Sequence, residues 1–168
     1  MTAAGAATPE ADEAWAEYPN TILDLRADST LRVDLRKPVS AAVRKRLVEL
    51  GLETFAVMTA ENPDGEEPRD APTTRGERRR EVENEQRLSA LERALRAARI
   101  FHVPVRTVSS DGAHSEVCFA MQLDERAARR WAQRFAQLAY FYYDGERFWL
   151  YPGTLDKTPQ ALPVPSRR

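Results

Sequence analysis

The sequence contains a single cysteine, Cys118, so no internal disulfide can form and a cysteine-rich zinc site is excluded. Its two histidines, His102 and His114, fall in no His/Cys/Asp/Glu spacing suited to a metal ion. Lysine is scarce, with only Lys37, Lys45 and Lys157; that arginine bias fits genomic base composition as readily as function. An excess of one charge is also missing: 25 basic against 26 acidic side chains leave a net charge of -1. That balance argues against general nucleic-acid affinity, and any such binding requires a local patch. No apolar run approaches the ~18 residues of a membrane-spanning helix. The opening MTAAGAATPEADEAW has neither the basic start nor the apolar stretch of a secretory signal, so a cytoplasmic protein is expected. A Gly-rich phosphate loop, a G-x-S-x-G elbow and an H-E-x-x-H pair are all absent. No cofactor, metal or membrane partner is expected, and no internal repeat is visible.

What is present suits one globular domain over residues 9–151. A chain of 168 residues, 42% hydrophobic and 30% charged, can bury a sizeable core. Residues 1–8, small and polar, are expected to be disordered, as is the proline-rich tail 152–168. Thr8 caps an expected helix from Pro9 to Tyr18, closed by Pro19. Alternating runs at Thr21–Arg26 and Leu31–Arg36 predict a β-hairpin. Ser40 opens a helix ending at Leu50 and Gly51, with Val43, Leu47 and Leu50 inward. TFAVMTA, Thr54–Ala60, reads as a strand buried on both sides. A long loop over Glu61–Gly76 precedes the clearest helix, Glu77–Arg99, where Leu88, Leu91, Leu95 and Ala98 share one face. Strands at Phe101–Ser109 and Ser115–Leu123 flank an Asp111-Gly112 turn. Asp124 caps a helix expected through Ala139, with Trp131, Phe135 and Leu138 inward. A hairpin of Tyr140–Tyr143 and Glu146–Tyr151 turns at Asp144-Gly145.

From Thr54 onward the order is strand, helix, strand, strand, helix, strand. The expected fold class is α+β: a two-layer sandwich with a mainly antiparallel, ferredoxin-like β-α-β-β-α-β core. The N-terminal hairpin and helix, and a final strand, extend it; a mixed α/β sheet is the alternative.

Chain direction then predicts where polar residues meet. If the Thr54–Ala60 strand runs upward, Thr59, Glu61 and Asn62 lie at its top. The long helix starts near that edge, with Asn84 continuing the leucine stripe and Arg87 flanking it. Glu116, second in the strand returning from Asp111-Gly112, also lies at the top. Thr59, Asn62, Asn84, Arg87 and Glu116 therefore form the candidate cluster. One reading is structural, with Glu116 paired to Arg87 and Asn84 holding loop backbone; the other is a ligand or catalytic pocket.

TAENP at Thr59–Pro63, Asn84-x-x-Arg87, Glu116 and FAQLAYFYYDGERFWL at Phe135–Leu150 together resemble the bacterial domain-of-unknown-function family 3293, over roughly Tyr18–Tyr151. The resemblance implies no established activity. It implies that Asn62, Asn84, Arg87, Glu116 and Gln137 occupy positions typical of the family. On a helical wheel Gln137 points away from the Trp131–Phe135–Leu138 face, toward solvent or toward the top edge where the helix ends.

Other features carry weaker signals. Phe141, Tyr143, Phe148 and Leu150 read as core, while Tyr140, Tyr142, Arg147, Trp149 and Tyr151 share the opposite face, to stabilise a sheet edge or to stack bases. Cys118 alternates with Ala120 and reads as core rather than nucleophile. Arg78-Arg79-Arg80 opposes its helix dipole. Three functions stay open: a binding or regulatory module for a small polar or anionic ligand or a protein, an enzyme using Glu116 as general acid/base with Arg87 stabilising an anion, and single-strand binding by the last hairpin. Oligomeric state is not readable.

Overall fold

A computed structural model describes residues 8–61 and 74–165. The expected disordered leader, most of the Glu61–Gly76 loop, Asn62 included, and the last three residues lie outside these described residues.

Local chemistry sets the first elements. Thr8 Oγ1 accepts from Ala11 N at 3.3 Å and Pro9 takes the first position of α1, Pro9–Glu17. A 3-10 turn at Tyr18–Asn20 leads into β1, Thr21–Arg26, which pairs with β2, Thr30–Asp34. Ser40 Oγ accepts from Val43 N at 3.2 Å to open α2, Ala41–Glu49. Gly51 follows at φ 77°, a left-handed position that glycine adopts without steric cost.

The remaining elements are β3, Phe55–Met58; α3, Thr74–Ala97; β4, His102–Ser109; β5, Ser115–Met121; α4, Glu125–Arg134; β6, Ala139–Tyr143; β7, Phe148–Pro152; and β8, Gln160–Ala161. The strands form one eight-stranded sheet in the order β2-β1-β4-β5-β3-β6-β7-β8. Every neighbouring pair is antiparallel, so the mixed sheet held as an alternative is not found among the described residues.

Helices cover both faces of this sheet, rather than the one face that a two-layer sandwich requires. Phe55, Val57, Cys118, Ala120, Phe141 and Tyr143 face Leu47 of α2 and the partly buried Trp15 of α1. Ala56, Met58, Phe119, Met121, Tyr140 and Tyr142 face Leu91 and Leu95 of α3 and Ala128 and Ala132 of α4. The cause is visible in the strands: β3, β5 and β6 are apolar at consecutive positions, and each face must be removed from water. A fully buried residue such as Leu91 or Phe55 contributes about 1.5–3 kcal/mol to that drive.

Two further expectations are corrected. The last helix ends at Arg134 instead of Ala139, and its buried residues are Ala128 and Ala132, with Trp131 and Phe135 only half-buried. Ala136 adopts φ 51°, and the terminal bonds Gln137 N to Ala132 O (2.9 Å) and Ala136 N to Gln133 O (3.1 Å) close a Schellman turn. The turn is needed because the chain must reverse at once into β6. The tail is not unstructured over 152–165: Gln160 pairs with Leu150, Leu162 is buried, and Lys157 pairs with Asp12. Pro159, Pro163 and Pro165 flank an edge strand, where a missing N–H costs no ladder bond.

Candidate functional site

Antiparallel register brings four chain segments to one end of the sheet. Val57 lies opposite both Ala120 and Phe141, so β3 ends where β5 and β6 begin. The core residues of α3 are Leu91 and Leu95, with Leu88 packed against them. No residue of the preceding turns over 76–87 is buried. Those turns lie toward the same end, because α3 leads from the end of β3 down to the start of β4.

At this rim, side chains extend the β3–β5 ladder beyond its last backbone rung, Met58 opposite Phe119. The buried Thr59 hydroxyl donates to Val117 O at 2.8 Å and accepts from Glu61 N at 3.0 Å. The Val117 carbonyl is thereby held by a side chain of the segment leaving β3. The Glu61 carboxyl lies near the Val117 N–H. Burial raises the Glu61 pKa, the neighbouring Glu116 carboxylate raises it further, and the Val117 N–H opposes them. Cys118, one residue on, lies 3.9 Å from Thr107 Oγ1, and burial drives its thiol well above the ordinary range. It is a core thiol and not a nucleophile.

Asn84 and Arg87 meet each other: Arg87 Nη1 donates to Asn84 Oδ1 at 3.3 Å, and Nη2 lies 3.9 Å from Glu83 Oε2. Their helix packs on the Met58–Phe119 face, whereas Glu116 shares the parity of Cys118 and Ala120 on the other face. The expected Glu116–Arg87 pairing is thus replaced, for Arg87, by partners on its own helix. Thr59 and Glu116 come together, as do Asn84 and Arg87, on two sides of one rim. Gln137 is buried and joins that end, its Nε2 donating to Phe135 O at 3.1 Å. Of its two expected places, solvent or the top edge where the helix ends, it takes the second, because the helix stops at Arg134.

A family model described as a protein of unknown function, DUF3293, matches residues 58–140. That segment belongs to the DUF3293 family. The match is narrower than Tyr18–Tyr151, yet it spans all six candidate residues, Thr59, Asn62, Asn84, Arg87, Glu116 and Gln137. No curated protein and no solved structure matches the chain.

Glu61 is the DUF3293 rim residue that sequence reasoning left out of the cluster. Its signal was parity, since it lies two residues after Thr59 on the same face of the strand. Gly153 is another: its N–H donates to Leu138 O at 2.8 Å, and a Cβ there would lie 2.0 Å from Gln137 O. The aromatic hairpin does not offer a stacking surface, because Tyr140 and Tyr142 are buried beneath α4 and the Trp149 indole donates to Asp144 at 2.7 Å. Tyr140 Oη has no hydrogen-bond partner among the described residues, and burial raises its pKa. His102 Nδ1 lies 2.9 Å from Ile100 O, and no metal-binding group of side chains occurs among the described residues. Within the opening run of α3, Arg79 pairs with Glu83 at 3.0 Å. Two shallow grooves, of about 270 and 350 Å³, are lined by Glu85, Gln86, Ser89 and Arg93 and by residues around Phe101; neither includes Thr59, Glu61, Glu116 or Arg87. No helix among the described residues is long and apolar enough to cross a membrane.

Proposed function

We propose that this chain is a non-enzymatic binding or regulatory module, holding a small polar or anionic ligand, or a segment of a partner protein, at the sheet rim. The observation that carries the reading is the convergence of Thr59, Glu61, Glu116 and Gln137 with the Asn84–Arg87 pair at one end of the sheet. Arg87 supplies a partly exposed guanidinium fork for an anionic group. Asn84, with Asn62 from the adjoining segment, supplies orienting amides. Glu116 accepts a donor from the ligand on the opposite side. The strand order β4-β5-β3-β6, with α3 and α4 on one face, supports reading the scaffold as a ferredoxin-like core widened at both edges.

The test is a thermal-shift screen of carboxylates, phosphates, nucleotides and amino acids. A stabilising ligand should lose its effect in Arg87→Ala and in Glu116→Gln. Unchanged shifts in both variants refute the reading.

One observation favours a second reading, an enzyme with a carboxyl acid/base. Glu61 and Glu116 are close enough for one to raise the other's pKa, as general acid/base chemistry requires. Glu116→Gln should then abolish turnover of a substrate that it still binds, and retained turnover ends this alternative.

A further inference from the structure

The outer face of α4 carries arginine without counter-charge. Arg126, Arg130 and Arg134 are spaced by four residues, with Arg129 beside them, and all are exposed. They lie opposite the buried Ala128 and Ala132, so the row faces straight away from the sheet. Each step along the row rises ~6 Å.

Other arginines, such as Arg26, Arg44, Arg99, Arg106 and Arg147, also lack an ion pair among the described residues but are scattered over separate elements, and six are paired locally. Arg79 and Arg87 lie against Glu83, Arg96 against Glu92, Arg46 against Glu49, Arg32 against Asp24 and Arg36 against Asp34. None of the four α4 guanidiniums makes an ion pair among the described residues. Of the two acids at the start of α4, Asp124 caps Ala127 N at 2.7 Å, and Glu125 lies close enough to Tyr151 to add to the pKa rise that burial causes there; neither forms an ion pair with the row. Like charges four apart destabilise a helix by ~0.2–0.5 kcal/mol per pair. The like-charge spacing therefore opposes folding slightly, and within the row Arg134 alone stacks on aromatic rings, 5.3 Å over Trp131 and 5.4 Å over Phe135 at the border of the core.

We propose that this row binds the sugar–phosphate backbone of a nucleic-acid strand. The balanced total charge required any such affinity to come from a local patch, and α4 is one. An acidic protein segment fits the charge but not the magnitude. Exposed ion pairs contribute ~0.2–1 kcal/mol each, too little against the ~4 kcal/mol or more that association costs. A polyanion instead adds the release of its condensed counterions. The aromatic hairpin, with Tyr140 and Tyr142 buried, plays no part.

The test is fluorescence anisotropy of the full chain with a labelled oligothymidylate, titrated from low salt upward. Three to four phosphate contacts give a log–log salt slope of about -2 to -3 for a single strand. Arg126→Gln/Arg130→Gln should cut low-salt affinity roughly tenfold and flatten the slope by ~1.4. Its melting temperature should hold or rise, since a merely structural role for these arginines would lower it. Arg78→Gln/Arg93→Gln on α3 should bind like the parent chain. Absence of binding at low salt, α4 variants that bind undiminished, or equal binding of polyglutamate each overturns the proposal.

Discussion

Thr59→Val removes one hydroxyl and keeps the shape of the side chain, so its cost reads the rim network directly. Two hydrogen bonds disappear, the one donated to Val117 O at 2.8 Å and the one accepted from Glu61 N at 3.0 Å. Thr59 is only 7% exposed, so water does not readily replace the lost partner. At ~0.5–1.5 kcal/mol for each bond, the loss is about 1–3 kcal/mol. For a chain of this size each kcal/mol lowers the melting temperature by ~2–4 °C, giving a fall of several degrees. Thermal unfolding followed by circular dichroism measures it, with Thr59→Ser as the variant that retains the hydroxyl. An unchanged melting temperature in Thr59→Val, or an equal fall in Thr59→Ser, refutes the clamp on Val117.

Glu61→Gln tests the carboxyl pair. A folded pKa above the ordinary 4.5 means that the stabilising contribution of Glu61 is present below that value and is lost as pH rises through the folded pKa. The variant should therefore be more stable than the parent at pH 7, with the gain vanishing toward pH 4; a gain independent of pH in urea titrations contradicts this. Gly153→Ala forces a Cβ to 2.0 Å from Gln137 O and should unfold the β6–β7 end, seen as loss of ordered near-ultraviolet signal. Ala136→Gly relieves a residue at φ 51° and should raise stability by about 1 kcal/mol in denaturant titrations. Tyr140→Phe removes a buried hydroxyl that has no partner among the described residues, so it should be neutral or stabilising in thermal melts; a clear loss would reveal a bond that this packing lacks.

Local signals were the most legible. Thr8, Ser40 and Asp124 cap the helices they were expected to cap, because each requirement is met within three residues of chain. The hairpins followed from alternation and turn residues. The layer count did not follow. It depends on reading β3, β5 and β6 together as apolar on both faces, a property of neighbouring strands rather than of any one segment. Proline count made residues 152–165 look unstructured, although an edge strand tolerates proline. At the rim, chain direction alone brought Thr59, Glu116, Asn84 and Arg87 to one end. Which side of the sheet each occupies was harder: parity sets Glu116 beside Cys118, while the place of Arg87 depends on which face α3 covers. Gln137 takes the second of its two readings, the top edge, because the helix ends before it and the helical wheel no longer applies.

Nitrogen-15 heteronuclear NMR, recorded as a stabilising ligand from the screen is added, tests the central claim most directly. Binding at the rim predicts shift changes confined to the amides of Thr59, Glu61, Asn84, Arg87, Glu116, Val117 and Gln137. Changes centred instead on the groove around Phe101, with those amides unmoved, would contradict it.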